Sequence, residues 1–136
     1  VIAYDLYPND SGRAIAEYVD LDTLYKEADV ITLHCNLTPE NTGMINRESI
    51  AKMKDGVTII NTSRGTNVDE AALLAGLESG KVRSAGLDVY ANEPATNKAL
   101  YSHPMVSCTP HIGAATKEAQ KRIGAEIVEI IESFGK

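Results

Sequence analysis

The chain has little that would tie it to a membrane, a metal or a nucleic acid. No apolar run approaches the roughly 18 residues that a spanning helix needs, and no signal peptide is visible. Cysteine is scarce: Cys35 and Cys108 lie far apart in apolar stretches, whereas a zinc site needs more ligands at tighter spacing. Two reduced, half-buried thiols in a cytoplasmic protein, and no metal, are therefore expected. Lysine and arginine total 13 against 19 acids, for a net charge of −6, and the basic residues are scattered. That balance argues against nucleic acid as a partner. Internal repeats and low-complexity segments are absent. So is an initiator methionine, and the expectation is that these residues belong to a longer polypeptide.

What is present is an ordinary globular balance. The 136 residues are 43% apolar and 24% charged, enough for one domain with a real core. Short apolar runs alternate with helical patterns. Strands are expected at 1–5, 29–35, 56–63, 84–90 and 105–110, where β-branched residues cluster. Between them, Leu21, Leu24, Tyr25 and Ala28 fall at helical spacing, and 46–53 reads as a short helix with Asn46 as N-cap and Ile50 and Met53 facing in. A helix over 69–80 has acids in its first turn and Gly80 just past its end. Residues 116–136 form a long amphipathic pattern, with Ile123, Ile127, Ile130, Ile131 and Phe134 along one stripe. Repeated βα units of this rhythm predict an α/β fold: a doubly wound, mostly parallel sheet with helices on both faces. The least regular stretch, 90–104, is a long Pro-containing connection.

In such a sheet, ligands gather at the carboxyl ends of the strands. That is where Asp5, His34, Asn61 to Arg64, Asp88 and His111 collect. An acid at the tip of a strand is most often a turn-former. In a dinucleotide-binding fold, however, the second strand ends in an acid that accepts from the adenosine ribose hydroxyls, about 20 residues after a glycine-rich phosphate loop. Asp5 fits that acid. The loop and the first βα unit would then lie upstream of Val1.

Three segments carry chemistry: "NTSRG" (61–65), "GLDVYANEP" (86–94) and "PHIGAAT" (110–116). Each follows an apolar strand, so each delivers its polar residues to one edge of the sheet. Singly, each has a plain reading: a surface arginine, an ordinary turn, a histidine at a helix start. Together they supply an arginine, a carboxylate and an imidazole, which suit redox chemistry at a carbon bearing a hydroxyl beside a carboxylate. Arg64 would clamp the carboxylate with its planar fork. His111 would take the hydroxyl proton and return it in the reverse direction. Glu93, on the far ring nitrogen, would favour the imidazolium and orient the ring.

These segments, with "VIAYD" and "ADVITLHCNLTPENTGMIN", make the sequence resemble the D-isomer-specific 2-hydroxyacid dehydrogenases over essentially its whole length. The resemblance implies a Rossmann-like NAD-binding domain over 1–115, lacking its first βα unit here. It also implies that 116–136 is a helix crossing back towards a separate substrate domain. By the same resemblance, Arg64, Glu93 and His111 are the catalytic set, and Asp5 is the ribose-binding acid. Cys35, Thr62 and Ser63 line the cofactor, as does Arg64. Asp88 holds the nicotinamide carboxamide, and His111, Ile112, Gly113 and Ala114 run beneath the nicotinamide ring. Asn36 departs from the pattern, standing where the family most often has proline. NAD as cofactor, a small 2-hydroxy or 2-keto acid as substrate and a homodimer in the full-length protein are implied. A non-catalytic NAD-sensing corepressor is the alternative of another class.

Overall fold

The β-branched runs form strands, and every strand pairing is parallel. In the computed structural model, which describes residues 1–134, Ile2–Ala3 (β1) pairs with Glu17–Tyr18 (β2) as a separate two-stranded sheet. Val30–Leu33 (β3), Val57–Asn61 (β4), Val82–Leu87 (β5) and Val106–Cys108 (β6) pair in that order in a four-stranded sheet. β1 and β3 do not pair, and Val30 is 52% exposed on the outer edge of the larger sheet.

Capping residues fix where the helices start. The Asp20 side chain accepts from the amide of Thr23 at the head of Leu21–Glu27 (α2), which follows a single turn at Asp10–Arg13 (α1). Asn46 and Ser49 bond each other's amides in a reciprocal capping box that opens Arg47–Lys52 (α3). Asp69 accepts from Ala71 and Ala72 to open Glu70–Glu78 (α4), which ends before Gly80 in the left-handed conformation that glycine tolerates best. Inside the long connection before β6, Asn97 caps one more turn, Lys98–Tyr101 (α5). Lys117–Phe134 (α6) completes the described residues.

The core lies between the larger sheet and α2, α3 and α4. Ile59 and Leu73 are fully buried, Val57 and Val82 are 1% exposed, and Ile31, Leu33, Tyr25, Ile50 and Leu77 join the same cluster. Each such side chain contributes roughly 1.5–3 kcal/mol of transfer free energy, so this layer, not the short β1–β2 pair, holds the fold together. The apolar side of α4 covers the sheet: Ala72, Leu73, Gly76 and Leu77 are all buried. The other face of the sheet is only half covered, at Thr58, Ile60, Ser84 and Gly86.

The sequence pattern misplaced some boundaries. β5 begins at Val82, two residues before the expected start, and ends at Leu87, because Asp88 turns inward to bind a loop. Two-residue β2 and the single turns α1 and α5 are too short to show a period. Residues 135–136 of the expected last helix lie outside the described residues. No residue of α6 is buried; Ile123, Ile127, Ile130, Ile131 and Phe134 are all exposed.

Candidate active site

Arg64 is presented by a turn built on buried amides. At the end of β4, the Asn61 side chain is 1% exposed; its oxygen accepts from the amide and hydroxyl of Ser63, and its nitrogen donates to the Arg64 carbonyl at 2.9 Å. Three residues further on, the fully buried Asn67 donates to Ser63 Oγ at 3.2 Å and to Cys35 Sγ at 3.3 Å. Its own oxygen has no protein partner. The neighbouring segment seals the other side, with Gly43 N–H donating to the Thr66 carbonyl and Ile45 N–H to that of Asn67. The backbone of this turn is therefore fixed while Thr62 and the Arg64 side chain stay exposed. Arg64 Nη1 donates to the Ser63 carbonyl at 2.7 Å, and the rest of the guanidinium fork is left for a ligand.

The expected imidazole–carboxylate pair forms. Glu93 Oε2 lies 2.7 Å from His111 Nδ1, and Glu93 Oε1 accepts from Tyr90 N–H at 3.3 Å. The hydrogen bond from His111 is the main reason that the Glu93 carboxyl titrates below the ordinary glutamate value. With Nδ1 engaged, Nε2 is the ring atom left for a reacting group. His111 has φ of 54°, a left-handed conformation uncommon for a non-glycine residue and frequent where a side chain is aimed at a site.

What holds that conformation is Asp88. Its side chain is buried at the end of β5, where Oδ1 accepts from Ile112 N–H at 2.9 Å and from the Thr109 hydroxyl, and Oδ2 accepts from Gly113 N–H at 3.0 Å. Burial pushes this carboxyl up, but these three hydrogen bonds and the nearby His111 outweigh it and hold it below the usual aspartate value. Asp88 thus anchors the 109–113 loop from beneath, a role that its position in the sequence did not disclose. One lone pair on Oδ2 stays free.

A cleft of about 580 Å³ opens beside the pair, lined by Tyr90, Glu93, Pro94, Tyr101, Thr109, Pro110 and His111 among others. Tyr90 spans it from below: its hydroxyl donates to the Thr109 carbonyl at 2.6 Å, and burial first, then Cys108, push its pKa up to about 12. Glu93, His111 and Asp88 are thus brought together. Arg64 lies on the adjacent strand end and does not line the cleft. Asp5 sits apart at the end of β1, exposed, with Oδ1 accepting from Tyr7 N–H at 2.8 Å. Cys35 meets Asn67 and, at 3.7 Å, the Met44 sulfur. Both cysteines are free, and the described residues hold no cluster of three metal-ligating side chains.

Sequence reasoning placed Asn61 at the ligand edge of the sheet but did not disclose that its side chain, with that of Asn67, builds the Arg64 turn; Asn67 carries no motif.

Comparison with known proteins places these residues in context. The family described as "D-isomer specific 2-hydroxyacid dehydrogenase, NAD binding domain" matches residues 1–113. A hydroxypyruvate reductase of Thermotoga maritima is 54% identical over 134 residues, which cover 96% of this chain and 44% of that protein. A D-3-phosphoglycerate dehydrogenase of Mycobacterium tuberculosis is 46% identical over 133 residues, covering 96% of this chain and 25% of that protein. The crystal structure of a glyoxylate reductase from Paecilomyes thermophila superposes with a TM-score of 0.91 at 40% identity, covering 97% of this chain and 40% of that one. The chain spans less than half the length of these relatives.

Proposed function

The chain belongs to the D-isomer-specific 2-hydroxyacid dehydrogenases, and on that premise we propose that it supplies the NAD-binding half and the proton-transfer pair of an enzyme interconverting a D-2-hydroxy acid and its 2-keto acid. The carrying observation is the 2.7 Å contact between Glu93 and His111 at the mouth of a cleft, one strand away from the Arg64 turn.

The polar groups present suit a dinucleotide. Asp5 keeps one oxygen free beyond its own turn, positioned at a strand end to accept from ribose hydroxyls. Asp88 keeps one lone pair that would accept from the carboxamide, and His111 to Ala114, in and just after the loop it anchors, would lie beneath the nicotinamide. Cys35, Thr62 and Ser63 border the same edge. When bound, NAD supplies the hydride acceptor or donor. All other steps belong to side chains of the protein.

In the oxidation direction His111 Nε2 takes the hydroxyl proton, and Glu93 stabilises the imidazolium that results. In reduction the same proton returns to the carbonyl oxygen. Arg64 pairs its free guanidinium donors with the substrate carboxylate, fixing which carbon faces the cofactor.

For the substrate, a short acid such as hydroxypyruvate or glyoxylate is the first reading, supported by the 54% identity to the hydroxypyruvate reductase of Thermotoga maritima. A second reading, D-3-phosphoglycerate, rests on the likeness of "HIGAATKEAQKRIGAEI" and the compact connection over 90–104 to such dehydrogenases, and on the 46% identity with that of Mycobacterium tuberculosis. D-Lactate ranks behind both. Steady-state kinetics of the intact polypeptide on hydroxypyruvate, glyoxylate, 3-phosphoglycerate and D-lactate, each with NAD or NADH, decide among them. Lack of turnover with all four would overturn the enzymatic reading in favour of an NAD-sensing corepressor.

A further inference from the structure

The Arg64 turn and the Glu93 loop come from different strands, yet one peptide group joins them. On one side, Gly65 lies so close to the Tyr90–Ala91 peptide that a Cβ at Gly65 would stand 1.9 Å from the Tyr90 carbonyl carbon and oxygen and 2.6 Å from Ala91 N. On the other side, Glu70 Oε1 accepts from Ala91 N–H at 2.9 Å. The same oxygen accepts from the Tyr101 hydroxyl at 2.9 Å, at the far end of the connection. Tyr101 in turn packs edge-on against Tyr90, with ring centroids 4.9 Å apart. Glu70 is half-buried at the start of α4, five residues after Gly65.

We propose that Glu70 is a positioning residue: it clamps both ends of the 90–101 connection to the Arg64 turn, and so sets the Glu93–His111 pair in register with Arg64. The inference rests on the dehydrogenase reading for its consequence in turnover, but its geometric content stands independently.

Physical chemistry gives Glu70 the leverage. A carboxylate accepting from a backbone amide and a phenol makes two charge-assisted hydrogen bonds, roughly twice as strong as neutral ones. The connection it holds has few other attachments on this side. Its residues 91–96 are exposed, and among the described residues Glu93 is fixed only by Tyr90 N–H and His111. Burial first, and then the Glu70 hydrogen bond and charge, push the Tyr101 phenol well above its ordinary pKa, so it stays a donor throughout the working pH range. Loss of Glu70 frees Ala91, two residues before Glu93. A displacement of about 1 Å at a reacting group can cost on the order of 100-fold in rate.

The test uses Glu70→Ala, Glu70→Gln and Tyr101→Phe in the intact polypeptide, with three readouts. In Glu70→Ala, kcat should fall roughly 10- to 100-fold while the Kd for NAD stays within about twofold. The Glu93 carboxyl, followed by carbon NMR against pH, should titrate closer to an ordinary glutamate, because it is no longer held on His111. Glu70→Gln keeps an amide oxygen for both donors but not the charge, and should restore part of both properties; Tyr101→Phe removes one donor and should also fall between Glu70→Ala and the parent. The proposal is overturned if Glu70→Ala lowers the melting temperature but leaves kcat and the Glu93 titration as in the parent, or if Glu70→Gln is as impaired as Glu70→Ala. Should the parent itself turn over no acid, the functional reading fails. The Glu93 titration then decides the proposal alone, upholding it by moving in Glu70→Ala and refuting it by staying fixed.

Discussion

Glu93 holds His111 by Nδ1, at 2.7 Å, from an exposed loop, so the orientation of the ring depends on a contact that solvent reaches. Two substitutions separate the roles of the pair. His111→Ala should lower kcat by on the order of 10²–10⁴-fold, from lost proton transfer. Glu93→Gln keeps a hydrogen-bond partner but removes the charge that stabilises the protonated ring, so the pH profile for oxidation should move to lower pH. Steady-state rates across pH check both, and a His111→Ala enzyme of near-normal rate would remove His111 from the mechanism.

Arg64→Lys should weaken substrate binding and turnover together, because a point charge cannot replace a bidentate fork. Since the turn is held chiefly by the buried Asn61 and Asn67, with the Arg64 side chain adding only its bond to the Ser63 carbonyl, the melting temperature should change little. A stable variant with parent kcat/KM would count against the carboxylate clamp.

Acid should act on the two site carboxylates in one direction. Asp88 is held below its ordinary 3.8 despite burial, and Glu93 below its ordinary 4.5 chiefly by His111. Both bind fewer protons folded than unfolded. Their stabilisation is thus complete above the ordinary values and is lost as pH falls through the folded ones. Asp88→Ala should cost about 2 kcal/mol at neutral pH, the scale for hydrogen bonds to a charged group, and should flatten the acid limb of stability. Urea denaturation between neutral pH and strong acid measures this, and an unchanged acid limb would argue against Asp88 as the anchor.

Two glycines make a controlled contrast. Gly65→Ala places its Cβ against the backbone of Tyr90, which cannot yield as a side chain would, and should destabilise by about 2–3 kcal/mol or prevent folding. Gly124→Ala, in the middle of α6 with nothing within 4 Å, should instead strengthen that helix by roughly 0.8–1 kcal/mol. Circular dichroism melts of the two variants should move in opposite directions.

Cofactor choice tests the exposed acid at the end of β1. Asp5 should exclude a 2′-phosphate by charge, so NAD should be preferred over NADP. Asp5→Ala should reduce that preference by roughly tenfold, or about 1.4 kcal/mol. Fluorescence titration with each dinucleotide measures the ratio, and equal affinity in the parent would refute the assignment.

The parts legible in the sequence share one property: a local pattern carries them. Val30–Leu33 and Val57–Asn61 are β-branched runs, and Asn46 is a short polar residue directly before apolar periodicity, so these strands and that cap could be located without a partner in view, whereas Asp69 read as a first-turn acid and is the cap. The Glu93–His111 pair was legible as two strand-end motifs. What stayed hidden depends on distant contacts. Glu70 has the appearance of a dipole-compensating acid until Ala91 and Tyr101 are brought to it by folding. Asp88 was expected to face a ligand, yet most of its acceptor capacity serves the 109–113 loop. β2 has only two residues and is defined solely by pairing with β1.

Helix α6 has a consequence for cooperativity. Its 18 residues bury no side chain, and its attachments to the rest are local, such as Gln120 to the Ala114 carbonyl. A helix that buries nothing against the sheet must rely on nucleation and propagation along its own length, without the packing of an amphipathic face that supplies most helical stability in proteins. The described residues therefore divide into two units with separate melting free energies. Amide protons of α6 should exchange with solvent many times faster than those of β4 and β5, and denaturant should erase the helix signal before it touches the Glu93–His111 pair.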